Sequence, residues 1–376
     1  MNIFSTQPQS YEHLNVPTRL LLGPGPSLVD PRVLQVMTTP LLGHLDPKFL
    51  EIMDQTQEML RYVFQTNNRL TIPISGTGSA AMEASMANLI EPGDKVLICI
   101  NGYFGTRLAD MAQRYGAEVE TIVRPWGEVF SPEEVQLALE KFPAKIVGIV
   151  HAETSTGARQ PIKEISGVVH KFNGLYVVDT VTSLGGVPVE VDENDIDVCY
   201  SGSQKCLSCP PGISPITFGP RAEAAMDRRK NKVANWYLDV NMVRSYWGSE
   251  RTYHHTAPIT MNYALYEALR IVAEEGLENR WTRHQQNAQL LWDGMEAMGL
   301  SMHVPVEHRL PSLTTVRVPE GVNEAQVRAR LLNDYNIEIG GGLGELKGKV
   351  WRIGLMGFSS RAENVLLLLA AMKEIL

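Results

Sequence analysis

The chain has 376 residues, 44% of them hydrophobic and 20% charged, with a formal net charge of -8. That length suits two domains with a sizeable core, and the acidic balance argues against a nucleic-acid binder, whose surface is basic. No apolar run approaches the roughly 20 residues of a membrane span, the opening MNIFSTQPQSYEHLNVPTRLLLGPGP lacks the charged-then-apolar order of a secretory signal, and the closing AAMKEIL carries no SKL-like address. A soluble cytoplasmic protein with no membrane or nucleic-acid partner is the expectation.

From about residue 70 to 220, short apolar runs alternate with longer amphipathic ones. LTIPIS (70–75), KVLICI (95–100), EVETIV (118–123), KIVGIV (145–150), LYVVDT (175–180) and DVCYSG (197–202) read as strands. SAAMEASMANLI, GTRLADMAQRYG, SPEEVQLALEKF and PIKEISGVVHKF read as the helices between them. Strands apolar on both faces and separated by helices imply a mainly parallel α/β sheet. After about residue 260 the pattern changes to a long helical stretch running to 299, then SLTTVRVP, a helix over 323–335, IEIGG, KVWRIGL and a final helix over 361–376. This reads as a smaller α+β domain, against which the N-terminal segment, or a partner, packs. The chain divides on this reading into an extension (1–20), a large domain (21–260) and a small C-terminal domain (261–376). It shows no internal repeat.

The first loop with chemical content is ISGTGSAAME (74–83), between a strand and a helix. Gly76, Gly78 and Ala81 match G-x-G-x-x-G/A, the dinucleotide fingerprint. That fingerprint wants an acid about 20 positions on, at the end of the next strand. The next strand ends in Asn101, and Asp94 falls before it, so an NAD reading fails in its discriminating position. The same loop suits one phosphate monoester: Thr77 and Ser79 offer hydroxyls, and the helix N-terminus favours an anion. A tight strand-to-helix turn with no ligand stays open. GGGLGELKGK (340–349) is followed by a strand rather than a helix, and reads as a mobile or closely packed loop.

Asp179 ends the strand LYVVD, at the edge of the sheet where α/β ligand sites form. Lys205 follows another strand in YSGSQK and can reach the same edge. Burial there would lower its pKa and make the amine a nucleophile. An amine for a Schiff base, an acid for a ring nitrogen and an anion cradle are what pyridoxal phosphate requires. Arg352, inside the apolar run KVWRIGL, suits bidentate recognition of a carboxylate, and an edge-strand arginine facing water is the plain alternative.

Four cysteines do not make a disulfide scaffold. Cys99 and Cys199 lie in strand-like runs and read as small core residues. Cys206 and Cys209 form a C-x-x-C that lacks both a thioredoxin-like context and a second ligand pair, so neither a redox nor a metal site is expected.

The blocks LLGPGPS (21–27), VFQTNN (63–68), ISGTGSAAMEA (74–84), NGYFG (101–105), ETSTG (153–157), VDTVTSLGG (178–186), YSGSQKCLSCPPG (200–212), YHHTAP (253–258) and EIGGGLGELKGKVWRIGLMG (338–357) together resemble the alanine–glyoxylate and serine–pyruvate aminotransferases, class V of the fold-type I pyridoxal-phosphate enzymes. The resemblance runs from about residue 20 to the end, and the order and spacing of the blocks carry it. It implies a large domain with a mainly parallel seven-stranded sheet and a smaller C-terminal α+β domain. It implies Lys205 as the Schiff-base lysine and Asp179 as partner of the pyridine nitrogen. Val181 would pack on one ring face, and Phe104, where the family often has tryptophan, on the other. Thr77, Gly78, Ser79 and Gln204 would surround the phosphate, with Ser79 where some relatives carry histidine. Thr154 would lie near the phenolic oxygen, Arg352 would bind the substrate carboxylate, and Gly25 would keep the substrate site small. Tyr253 and Thr256 would reach the phosphate of a neighbouring subunit, which implies a homodimer with a shared site. His254 and His255 read as structural, and Cys206 and Cys209 as small packing residues.

The resulting expectation is a pyridoxal 5′-phosphate aminotransferase that takes an amino group from L-alanine or L-serine and passes it to glyoxylate, giving glycine. A serine–pyruvate or other small amino-acid aminotransferase of the same class, and a non-catalytic pyridoxal-phosphate-binding protein, remain alternatives. A cysteine desulfurase needs a cysteine on a loop near the small domain, and none follows Cys209.

Overall fold

The computed structural model describes residues 11–376. Seven strands form the central sheet, in the spatial order Leu70–Ser75, Ile213–Phe218, Val198–Tyr200, Leu175–Asp179, Ile146–Val150, Lys95–Ile100 and Glu118–Val123. Six run in one direction, and Ile213–Phe218 runs antiparallel to both its neighbours. The inner strands are buried along their whole length except at Lys95, as a sheet covered on both faces requires. Glu118–Val123, at the edge, alternates exposed and half-buried positions instead.

The sequence pattern does not single out Ile213–Phe218. It follows a Cys-Pro-Pro-Gly run and carries Pro215 at its centre, which ordinarily argues against an inner strand. The register explains the tolerance: Pro215 lies directly opposite Pro73. The two form a non-hydrogen-bonded pair, and on its other side Pro215 accepts from Ser201 N at 2.8 Å just past the end of Val198–Tyr200, so its missing donor interrupts no ladder within that strand.

Helices cover both faces. On one side Ile72, Ile98, Val177 and Phe218 pack with Met82 and Met86 of the helix Gly78–Leu89. On the other, Leu97, Val147, Tyr176 and Cys199 pack with Leu60, Val135, Val169, Leu265 and Leu269, from four further helices. The helix Pro132–Lys141 begins on a reciprocal cap, Ser131 with Glu134, and Pro132 fills its first turn. The long helical stretch after 260 is two helices, Ile259–Glu275 and Leu277–Ala297, split at Gly276, whose φ of +78° no helix can hold.

The remaining core gathers Trp292, Val316, Leu331, Trp351, Ile353 and Leu368 around a small sheet. In it Val350–Gly354 lies between Leu313–Arg317 and Gly340–Gly341, antiparallel to both. Leu20–Leu21 joins this part of the molecule by pairing parallel with Ile337–Glu338. The glycine-rich loop is closely packed rather than open: a Cβ on Gly344 would fall 2.6 Å from the Trp126 ring.

Candidate active site

The parallel strands end on one edge of the sheet, and the chemistry-bearing residues follow those ends. After Leu70–Ser75 comes the turn Gly76–Thr77 and the helix Gly78–Leu89, with Thr77 in the N-cap position. After Lys95–Ile100 the helix Tyr103–Arg114 begins, carrying Phe104. Glu153 and Thr154 follow Ile146–Val150, Asp179 closes its own strand, and Val181, Gln204 and Lys205 lie just beyond Asp179 and Tyr200. Such an edge is where open α/β sheets bind ligands.

Lys205 is buried, and burial, with the Arg352 charge next in weight, brings its amine down to about 8. Its Nζ donates to the carbonyl of Pro24. The segment around Pro24 is held over it, with Ser27 Oγ donating to Lys205 O at 2.8 Å and Ser27 N donating to Gln204 O at 2.9 Å. Gly25 has φ +117° and presents no side chain to the amine.

Asp179 is 2% exposed. Its Oδ1 accepts from the Val181 amide at 2.9 Å, whereas its Oδ2 is buried without a hydrogen-bond partner among the described residues. Burial raises the carboxyl to about 7. Gln204 Oε1 is likewise buried and unpartnered. Buried acceptors without partners are costly, and at a binding site they mark where a ligand's donors go.

Arg352 is 7% exposed, in the middle of its three-stranded sheet, so it is no edge arginine facing water. Nε donates to Gly341 O at 2.7 Å and Nη1 to Thr154 O at 3.2 Å. Burial lowers it to about 10, and it forms no ion pair among the described residues. A buried guanidinium with no direct ion-pair partner favours an anionic ligand.

Glu153 is a site residue that the sequence reading does not assign. It is fully buried, and burial raises its carboxyl above the ordinary range. Its oxygens accept from the Phe104 amide at 3.0 Å, the Ser155 amide at 3.0 Å and Ser155 Oγ at 2.6 Å. The carboxylate thus caps the helix Tyr103–Arg114 and fixes the turn carrying Phe104. Its only trace in the sequence is an acid just after a strand, flanked by small hydroxyl residues.

Tyr253 and Thr256 are not brought to this edge by any hydrogen bond. Both are exposed, Tyr253 by 55%, and their hydroxyls lie 3.4 Å apart. The loop that carries them is tied to the cradle through His255 Nε2, 2.7 Å from Ser75 Oγ, while His254 stacks on Trp236 at 4.4 Å. Burial lowers His255 to about 4, so it is neutral. Cys206 and Cys209 are buried, with burial raising their thiols to about 11 and about 12.

Residues 20–358 match the family described as aminotransferase class-V. Relatives include the (S)-ureidoglycine–glyoxylate transaminase of Bacillus subtilis, 43% identical over 96% of this chain and 92% of that one. The alanine–glyoxylate aminotransferase of Mus musculus is also 43% identical, over 96% of this chain and 89% of its own length. Among solved structures, an alanine–glyoxylate aminotransferase from Nostoc sp. superposes with a TM-score of 0.97 at 59% identity, covering 98% of this chain and 97% of that one. The chain belongs to the class V aminotransferases. It is a transaminase of the fold-type I group, and its cofactor is pyridoxal 5′-phosphate. The residues present fit that group: a lowered amine, a buried carboxylate oxygen awaiting a donor, and a turn opening onto a helix N-terminus.

Proposed function

We propose that this transaminase moves an amino group from L-alanine or L-serine to glyoxylate, giving glycine and pyruvate or hydroxypyruvate. The observation that carries the reading is Lys205, buried with its amine lowered to about 8 under the side-chain-free Gly25 and within the field of Arg352. The relatives named for glyoxylate support the acceptor. Glyoxylate has a carboxylate and no side chain, which suits a guanidinium on one side and a glycine on the other.

When bound, pyridoxal phosphate supplies the electron sink for deprotonation at the substrate α-carbon. Lys205 Nζ holds the cofactor and then carries the α-proton; an amine near 8 is partly free base at neutral pH. Asp179 keeps a proton on the ring nitrogen through its free Oδ2, while its Oδ1 stays fixed by the Val181 amide. Val181 and Phe104 would enclose the ring, and Thr154 would offer its hydroxyl to the phenolic oxygen. Thr77, Gly78, Ser79 and Gln204 would hold the phosphate with the help of the helix N-terminus. Arg352 orients the substrate carboxylate, and Gly25 excludes bulk.

The exposure of Tyr253 and Thr256 supports a role for them in a partner's phosphate site, and hence a homodimer with shared sites. We also propose formation of glycine as the cellular role, a cytoplasmic location, and the division into 1–20, 21–260 and 261–376, although Leu265 and Leu269 pack on the central sheet and put the helix Ile259–Glu275 with the large core. No helix among the described residues is long and apolar enough to cross a membrane.

The test is the visible absorption of the purified protein. L-Alanine should bleach the band of lysine-bound cofactor, and glyoxylate should restore it. A band that ignores alanine and serine but answers (S)-ureidoglycine would replace the donor, an alternative supported by the Bacillus subtilis relative. A band that answers no amino acid would sink the catalytic reading. Lys205→Ala should lower turnover by about four orders of magnitude in a folded protein.

A further inference from the structure

Arg107 lies outside every role given so far. It sits one turn into the helix Tyr103–Arg114, half-buried, and its Nη1 donates to Ser79 Oγ at 3.0 Å. Its guanidinium carbon lies 4.8 Å from the centre of the Phe104 ring and 5.3 Å from that of Tyr103. These are cation–π distances, and they hold the planar group against the aromatic pair. Among the described residues no carboxylate pairs with it.

Two consequences follow from the chemistry of these groups. A guanidinium has five donors and no acceptor, whereas a hydroxyl has one donor and two lone pairs. With Arg107 donating, Ser79 Oγ is the acceptor, and its single proton is left free for another group. The second consequence concerns charge. Thr77, Gly78, Ser79 and Gln204 are neutral, and His255 behind the loop is neutral too. A phosphate dianion in that turn would otherwise meet only the N-terminal partial charge of the helix Gly78–Leu89. Arg107 is the cation joined to the turn.

We propose that Arg107 is a positioning residue for the phosphate end of the cofactor: it fixes Ser79 as a hydrogen-bond donor and supplies the positive charge that the neutral cradle lacks. The proposal rests on the assignment of Thr77, Gly78, Ser79 and Gln204 to the phosphate. It also ties that end of the site to Phe104, because the same guanidinium stacks on the ring that would cover the pyridine.

The experiment compares two ligands that differ only in the phosphate. Purified enzyme is stripped of cofactor and retitrated with pyridoxal 5′-phosphate and with pyridoxal, following the visible band and tryptophan fluorescence. Arg107→Gln should raise Kd for pyridoxal phosphate about 10- to 100-fold, the effect of losing a charge-assisted contact. Kd for pyridoxal should stay within about twofold. In the double variant S79A/R107Q the loss should fall short of the product of the two single losses, since the two residues act through one contact. Arg107→Lys keeps the charge without the stacked fork and should recover part of the affinity; with Ser79→Ala it also decides the question if R107Q does not fold. Equal weakening for both ligands, unchanged affinity for pyridoxal phosphate, or fully multiplicative losses would overturn the role of Arg107. An unsubstituted enzyme with no preference for the phosphorylated ligand would overturn the cradle assignment together with it.

Discussion

Gly25 and Lys205 share one space: a Cβ on Gly25 would fall 2.5 Å from Lys205 Nζ and 2.9 Å from its Cδ. The same glycine holds φ +117°, where L side chains are strained. Gly25→Ala must therefore move the lysine, the Pro24–Ser27 segment or both. We expect kcat/KM to fall about 100-fold, the cost of displacing a reacting group by an ångström. Steady-state kinetics beside a circular dichroism spectrum check this, and a fully active Gly25→Ala would show that the crowding relaxes freely.

Arg352 should act on substrate rather than on cofactor. Arg352→Ala is expected to raise KM for every carboxylate substrate about 10- to 100-fold, with the visible cofactor band kept. Arg352→Lys should recover little, because one ammonium cannot reproduce a fork that also reaches the Gly341 and Thr154 carbonyls. An unchanged KM in Arg352→Ala removes the assignment.

Asp179 gives the cofactor-free protein a pH signature. Its folded pKa of about 7 lies above the ordinary aspartate value of 3.8, so the folded state holds the proton more tightly. The resulting stability is complete below 3.8 and is lost as the pH rises through about 7. Asp179→Asn does not titrate. The Tm difference between the two cofactor-free proteins should therefore move in favour of the variant across that window; a constant difference contradicts it. In the loaded enzyme the amide cannot hold the ring proton, and kcat should fall about 100- to 1000-fold.

Glu153 should matter for stability first. Glu153→Ala leaves the Phe104 and Ser155 amides and the Ser155 hydroxyl without an acceptor inside the protein. We expect a loss of about 2–4 kcal/mol in chemical denaturation, and a weakened cofactor band as the turn with Phe104 loosens. Glu153→Gln keeps an acceptor oxygen and should lose less; equal losses would mean that the charge, not the cap, is what counts.

The four cysteines are all buried. An aromatic disulfide reagent should titrate none of them in the native protein and all four after denaturation. Rapid reaction at Cys206 or Cys209 in the native enzyme would revive a thiol role for that pair.

Leu70–Ser75, Lys95–Ile100, Ile146–Val150 and Leu175–Asp179 are legible because burial on both faces leaves nearly unbroken apolar runs. The same reasoning stops at Ile213–Phe218, where Pro215 mimics a break and only pairing with Pro73 reveals the strand. It also runs two helices together, since the apolar period continues across Gly276, a residue that can end a helix and can also be carried inside one. In the site, Lys205, Asp179 and Arg352 stand out as charged groups in apolar surroundings. Glu153 and Arg107 do not, because their meaning lies in contacts reaching 49 and 28 residues along the chain. Polar residues beside a turn look alike until the fold shows which of them face each other.

The short pairing of Leu20–Leu21 with Ile337–Glu338 acts as a clasp, and Leu28 N reaching Ser359 Oγ, 331 residues away, fastens it further. Closing so long a loop costs entropy that grows only slowly with length, but the closure waits until both ends exist. During synthesis at about 5–20 residues per second, the sheet edge with Lys205 is made well before residue 337. Until then the Pro24–Ser27 segment is held over the amine only by its own bonds to Gln204 and Lys205, without the clasp. A nascent or truncated chain would thus carry a more loosely covered lysine, and the share of its lowered amine that comes from Arg352 would be acquired only when the last stretch of polypeptide arrives.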